Sequence, residues 1–253
     1  MAVEEQKAAV RRFWEDKPCG AVHALAPEGT RDYFDQVERR RRELEPFIDR
    51  FADFDSTRGQ EVLEVGTGLG TDFVRFARAG ARVTGIDLTE HSVRLVRRRL
   101  ELEGLEGDVR VADAEHLPFS DRSFDVVYSW GVLHHTPDPE RAVGEVLRVV
   151  KPGGRVCAML YARRSWVAYA LWVRHAVLRG RPRRSLDSVL ADHMESTGTR
   201  GFSKGELRAL FAELEDLTVD QISTPYDRRV AGPAARLTGR YLGWFLVVRG
   251  RGR

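Results

Sequence analysis

The sequence predicts an α/β protein built on a doubly wound, mostly parallel sheet of seven strands. Short aliphatic runs alternate with amphipathic helical runs from Glu61 onward, a pattern that buries parallel strands between helices on both faces. A glycine cluster, Gly66, Gly68 and Gly70, closes the first aliphatic run, and glycine opens backbone conformations and close approaches that other residues forbid. At 253 residues the chain can bury the core of one large domain with additions.

Residues 1–55 predict a helical lid, and 56–253 the sheet domain. In the lid, Phe34, Val37, Arg41 and Leu44 fall at helical spacing and Pro46 breaks the register. "EVLEV" predicts the first strand, "TDFVRFARAG" a helix ending at Gly80, and "RVTGID" the second strand. "HSVRLVRRRLELEG" predicts a helix with Val93, Val96 and Leu100 on one face and Gly104 as its left-handed stop. "DVRVAD" and "SFDVVYSW" predict strands, "ERAVGEVLRVVKPGG" a helix with its stop over 140–154, and "RVCAML" the fifth strand. Residues 161–200 break the rhythm with aromatic, apolar and arginine-rich sequence, predicting a helical cap inserted after the fifth strand. "SKGELRALFAEL" restarts a helix with Ser203 and Glu206 at capping-box spacing. "DLTVDQIS" and "YLGWFLVVRG" complete the sheet.

Hydrophobic residues at 42% and charged residues at 31% exclude a disordered chain. Arginine outnumbers lysine by 37 to four, yet 38 acids bring the net charge to +3. With no basic strand interleaved with aromatics, that skew reads as composition and no nucleic-acid partner is expected. Cys19 and Cys157 lie far apart and show no metal-ligand spacing; no metal site is expected. The charged amino terminus lacks an apolar leader run, which predicts a cytoplasmic protein. "SWVAYALWVRHAVL" is too short to span a bilayer and carries Arg174 and His175, so no transmembrane segment is expected.

In a doubly wound sheet, ligands sit beyond the carboxyl ends of the strands where strand order reverses, and the glycine turn belongs there. A nicotinamide oxidoreductase also places glycines at this turn, with an acid about 20 positions on for the ribose. Asp87, 21 residues after Gly66, suits either guest. Thr71 stands where that motif has its third glycine, and Glu64 sets a negative charge beside the turn. Such a charge disfavours a pyrophosphate and favours a ligand bearing an ammonium and a sulfonium.

Four segments in order, "EVLEVGTGLG", "VTGIDLT", "VADAEHLPFSDRSFDVVYSWGVLHHTPD" and "LRVVKPGG", resemble the class I S-adenosylmethionine-dependent methyltransferases of the small-molecule type, including quinone and natural-product enzymes, over about residues 60–160. The resemblance implies a Rossmann-like fold with S-adenosyl-L-methionine as cofactor. It implies that Gly66, Thr67, Gly68 and Gly70 lie against the methionine part, with Glu64 shaping the loop. Asp87 would take both ribose hydroxyls, Leu88 would pack on the adenine, and Asp113 would accept from the adenine amine. Ala114 would present its amide to the ring, and Ser129 and Trp130 would line the sulfonium side.

Methyl transfer from a sulfonium is an in-line displacement, served chiefly by positioning. A base is needed only where the acceptor loses a proton, as a hydroxyl does; the sequence suggests an oxygen acceptor. His134 and His135 follow the fourth strand at the rim where the methyl would lie, and histidine titrates near the operating pH. By the resemblance, Tyr33 or Phe34 of the lid would reach the methionine or the acceptor. His23, His193 and Glu195 are further polar candidates, although a solvated loop is the preferred reading for the last two. Trp166, Tyr169, Trp172 and Val173 form an apolar stripe that either packs on the sheet or walls a pocket for an aromatic or lipid-like acceptor. Arg179, Arg181, Arg183 and Arg184 beside it could attract an acidic acceptor or an anionic membrane surface, although a solvated basic loop is the preferred reading. A monomer and a homodimer are equally compatible with the sequence. An RNA-modifying methyltransferase and a non-catalytic cofactor-binding protein stand as alternatives; the "SWGV" after the fourth strand lacks the Asn-Pro-Pro-aromatic pattern of base-amine chemistry.

Overall fold

The computed structural model describes residues 3–253. Three helices lead: α1 (Val3–Asp16), α2 (Arg31–Leu44) and α3 (Ile48–Ala52). The alternating section follows as β1 (Glu61–Val65), α4 (Phe73–Arg78), β2 (Arg82–Asp87), α5 (Glu90–Glu103), β3 (Asp108–Val111), β4 (Phe124–Trp130), α6 (Pro139–Val149) and β5 (Val150–Tyr161). Then come α7 (Trp166–His175), α8 (Leu186–His193), α9 (Lys204–Leu210), β6 (Glu215–Ile222), α10 (Pro225–Ala231), α11 (Ala234–Leu242) and β7 (Phe245–Arg251). The seven strands lie in the order β3-β2-β1-β4-β5-β7-β6. Only β7 runs against its neighbours β5 and β6.

Because side chains alternate along a strand, the sheet sorts its residues onto two cores. Val62, Val126, Tyr128, Trp130, Cys157 and Met159 face one core with α3, α4 and α5. Leu63, Val65, Val127, Val156, Ala158 and Leu160 face the other, with α6 and α9. Burying each such large apolar side chain contributes about 1.5–3 kcal/mol. β1 and β4, buried on both faces, read as aliphatic runs in the sequence, whereas β3 at the sheet edge exposes three of its four residues.

The helix expected over 140–154 ends at Val149, and Val150 onward is strand. Pro152 disfavours helical geometry at the residue before it and supplies no amide donor. The pairing of β4 with β5 correspondingly jumps from Phe124–Val150 to Val126–Arg155. A second correction concerns 224–242, read as connection and strand start. It holds α10 and α11, and Tyr241 and Leu242 end α11 rather than open β7. A capping box at Thr224 and Asp227, with Pro225 in the first turn, starts α10; that Thr-Pro-x-Asp spacing was the available signal.

The amino-terminal helices are pinned to α5. Arg99 has no exposed side-chain surface and pairs with Glu38 of α2, and with Glu103 one turn on at 2.9 Å. Its guanidinium also lies 5.3 Å from the Phe34 ring centre. Glu15 at the end of α1 accepts from the amides of Glu90 and His91, satisfying donors that every helix start leaves open.

Candidate active site

The glycine turn leaves β1 at the reversal between β1 and β4, and all three glycines adopt positive φ. At Gly66 the turn is closed by packing: a Cβ would lie 2.2 Å from Val132 Cγ2. At Gly68 nothing stands within 4 Å of a Cβ, so the backbone there faces open space. Gly68 donates its amide to Asp87 Oδ2 at 2.9 Å, while Oδ1 accepts from Thr89 N and Oγ1 at 3.0 and 2.7 Å. Burial pushes the Asp87 carboxyl above its ordinary range, against the three donated bonds.

A cavity of about 310 Å³ opens beside this turn. Gly66, Gly68, Asp87, Leu88, Trp130 and His135 line it, as expected of residues gathered round one ligand. The lid adds Val10, Trp14, Pro18, Cys19, Arg41 and Glu45, and later elements add Tyr161, Val167, Met194, Glu195, Tyr226 and Trp244. The lining is mostly apolar and aromatic with a few convergent polar groups, the usual make-up of a small-molecule site.

The other expected residues sit around the cavity without lining it. Thr67 is buried against Gly85, and Gly70 packs on Val96. Ser129 donates to Val65 O at 3.1 Å, bracing the turn from behind. Tyr33 packs with Phe34, Val37, Leu69 and Leu95, and its hydroxyl has no partner. Asp113 and Ala114 follow β3; Asp113 Oδ2 lies 2.6 Å from Lys7 Nζ, and Oδ1 accepts from Glu115 N. Lys7 also meets Glu115 at 2.6 Å. Asp113, Glu115 and His116 bring potential ligand atoms within 4.8 Å, and the Lys7 ammonium bridges the two carboxylates.

Beneath the turn lies a charged cluster that the sequence did not reveal. Arg41 meets Asp72 at 2.9 Å and Glu45 at 3.3 Å. Tyr128 donates to Asp72 at 2.8 Å, and Trp130 Nε1 donates to Glu45 at 2.8 Å. Glu64 is buried with Oε2 unpartnered; burial first, then the nearby Asp72 charge, drives its carboxyl well above the usual range. A protonated or ammonium-paired Glu64 satisfies that environment, whereas a bare carboxylate does not.

His135 stands on a short 3₁₀ turn, Leu133–His135, after β4. Its Nδ1 lies 2.9 Å from both Thr199 Oγ1 and Ser196 Oγ. Thr199 spends its hydroxyl proton on Ser196 O at 2.7 Å and so turns a lone pair toward Nδ1. Nδ1 can donate to Thr199, which leaves Nε2 as the bare, basic nitrogen, while the Ser196 hydroxyl can donate to Nδ1 in the other tautomer. Glu195 Oε2 stands 3.5 Å from Nε2, too far for a good hydrogen bond but close enough to stabilise an imidazolium. Tyr161 donates to the same Glu195 oxygen at 3.0 Å. Burial works against the Glu195 charge, but His135 and Tyr161 outweigh it and hold its pKa below normal. Glu195 stands on the loop after α8 with 42% of its side chain exposed, and from there it also lines the cavity beside the histidine. His134 differs from its neighbour. It is fully buried, stacked 3.9 Å from the Tyr161 ring centre, and both nitrogens lack partners. Burial holds its pKa well below 6.5, so it is a neutral packing group away from the cavity.

A family model described as a methyltransferase domain matches residues 63–158. Methyltransferase GfsG of Streptomyces halstedii is 39% identical over 105 residues, covering 40% of this chain and 38% of that protein. Phthiotriol/phenolphthiotriol dimycocerosates methyltransferase 1 of Mycobacterium ulcerans (strain Agy99) is 35% identical over 144 residues, covering 56% and 48%. The chain thus spans less than half the length of these curated relatives. Its fold matches the solved geranyl diphosphate C-methyltransferase of Streptomyces coelicolor A3(2) across 98% of each chain, with a TM-score of 0.67 and 16% identity. At that identity the likeness is one of fold.

Proposed function

We propose that the chain is a class I S-adenosylmethionine-dependent methyltransferase that methylates a hydroxyl oxygen on a small, largely apolar acceptor. The observation that carries this proposal is the sharing of one cavity: Gly66, Gly68, Asp87 and Leu88 line it together with His135 and Glu195. The residues suit the cofactor. Open space at Gly68 admits a ligand to the backbone, Asp87 at the rim offers a carboxylate to a diol, and the lone Glu64 oxygen lies under the turn where an ammonium would relieve it. When bound, S-adenosylmethionine supplies an electrophilic methyl on a sulfonium, whose carbon–sulfur bond breaks to leave the neutral thioether S-adenosylhomocysteine.

In this proposal Asp87 holds the ribose, its carboxylate aimed by Gly68 and Thr89. Leu88 flanks the adenine, and Asp113 and Ala114 read its edge from beneath Lys7. Glu64, Thr67, Gly70 and Ser129 shape the turn, while Trp130, tied to Glu45, walls the sulfonium side. His135 Nε2 takes the proton that the acceptor hydroxyl gives up as its oxygen bonds to carbon. Glu195 stabilises the imidazolium that results. Holding donor and acceptor in line is the larger contribution, and proton removal adds roughly a hundred- to ten-thousand-fold.

A labelled-methyl assay tests the proposal: purified protein, deuterated-methyl cofactor and an extract of apolar hydroxylated metabolites, with products identified by mass spectrometry. A new methyl ether supports it. Label found on RNA or on amine nitrogen, or none transferred although the cofactor binds, overturns it.

A further inference from the structure

The elements that cover the cavity carry an unusual surface. Two segments, 166–184 and 225–242, hold nine arginines and a single acid, Asp227, and Asp227 is fully buried as the partner of Thr224 and Trp244. Among the described residues, Arg184 alone of these nine pairs with a carboxylate, that of Asp192. Elsewhere the chain is net acidic, with 32 lysines and arginines against 37 acids.

The same segments display apolar side chains to solvent. Ten large hydrophobic residues are exposed among the described residues, and six of them fall here: Val173, Val177, Leu178, Val230, Leu237 and Tyr241. Leu237 is 84% exposed, Leu178 75% and Tyr241 62%. Leu237 and Tyr241 stand one turn apart on α11, flanked by Arg236 and Arg240, and Arg240 lies 4.7 Å from the Tyr241 ring centre. Two more exposed hydrophobics, Val22 at 81% and Leu25 at 98%, belong to the loop between α1 and α2. Pro18 and Cys19 of the same connection line the cavity together with Tyr226 of α10.

Each segment contributes to the cavity wall. Val167 of α7 and Tyr226 of α10 line the cavity, and Trp166 Nε1 donates to Thr238 of α11 at 2.9 Å, joining the two segments. Exposed aliphatics ringed by unpaired arginines fit an anionic lipid surface: the side chains enter the acyl boundary while guanidinium groups stay with the phosphates. Nucleic acid would call for stacking aromatics in place of aliphatics, and an acidic protein partner gives no reason for so much exposed Leu and Val around an apolar cavity.

We propose that the face formed by α7, α10, α11 and the loop between α1 and α2 docks on anionic membrane surfaces, presenting the cavity mouth to lipid-soluble acceptors. Docking itself needs neither cofactor nor turnover, so it succeeds or fails independently of the methyl-acceptor proposal.

Vesicle flotation tests it, with the full chain mixed with phosphatidylcholine vesicles or with vesicles enriched in phosphatidylglycerol. The wild type should float with the anionic vesicles at low salt and fall away at high salt or with neutral lipid. Leu237→Ser with Tyr241→Ser, and separately Arg236→Glu with Arg240→Glu, should each reduce partitioning about tenfold or more. Val111→Ser, an exposed hydrophobic on β3, should leave it unchanged, and all variants should bind S-adenosylhomocysteine as wild type does. Absence of flotation at low salt, equal flotation of the α11 variants, or retention by RNA or by self-association in place of vesicles would overturn the proposal.

Discussion

Trp130 donates its indole N–H to Glu45 at 2.8 Å, with both side chains buried, so the end of β4 is fastened to the residue that closes α2. Glu45→Leu leaves that donor without its acceptor and Arg41 with Asp72 alone. The expected loss is about 1–3 kcal/mol in denaturant unfolding, and Glu45→Gln, which keeps an oxygen for Trp130, should lose less. Equal losses would assign the effect to charge alone.

Asp87→Ala should weaken S-adenosylhomocysteine binding by about 1.5–3 kcal/mol, the scale of hydrogen bonds to a charged group. Calorimetric titration measures it directly. A dissociation constant within a factor of two or so of wild type, with the fold intact by circular dichroism, would remove the ribose from Asp87.

The two glycines at the turn should part company. Gly66→Ala must fit a Cβ 2.2 Å from Val132 at φ +83, a clash plus a strained dihedral, and should cost at least about 2 kcal/mol of stability. Gly68→Ala meets only dihedral strain at φ +50, about 1–2 kcal/mol, and its chief effect should be on cofactor affinity. Thermal melts beside titrations separate the outcomes; reversed behaviour would mean that Gly68 does not face the ligand.

With the acceptor in hand, His135→Ala should lower kcat roughly a hundred-fold or more while KM for the cofactor stays near wild type. Thr199→Val removes the lone pair that faces Nδ1 and should shift the acid limb of the pH–rate profile. A His135→Ala enzyme of full activity at neutral pH would show that the acceptor needs no base.

His134 makes a prediction about stability and pH. Its folded-state pKa lies well below its ordinary 6.5 because it is buried, so below about that pH the unfolded chain binds a proton that the folded chain refuses. Its contribution to stability is intact above that value and declines as pH falls, by up to about 1.4 kcal/mol per pH unit until the folded pKa is reached. Denaturant midpoints from pH 8 to 5 (a range on the scale of the imidazole titration) should fall more steeply for wild type than for His134→Phe. Parallel curves would contradict a neutral buried imidazole.

How much of this was legible in the sequence depended on distance along the chain. The cradle of β1, glycine turn and β2 spans few residues, and its glycines and Asp87 announce themselves because backbone geometry and one carboxylate define them. The group around His135 did not: Ser196 and Thr199 reach it across 61 and 64 positions, and no local pattern encodes a loop folding back on a strand end. Arg41 showed only as a helix-face position, since its pairing with Asp72 depends on how α2 docks. The α10–α11 pair was missed although Thr224 and Asp227 carry a start signal, because a seven-residue helix shows too little periodicity to stand out.

The cavity wall is drawn from two kinds of chain. One part, the strand ends and glycine turn, is locked between two cores and cannot drift without unfolding the sheet. The rest, Pro18 and Cys19, Met194 and Glu195, and Tyr226, hangs from connections that no strand includes. Evolution, or an engineer grafting those three stretches from one family member onto another, can therefore retune the guest while leaving the donor's berth unaltered.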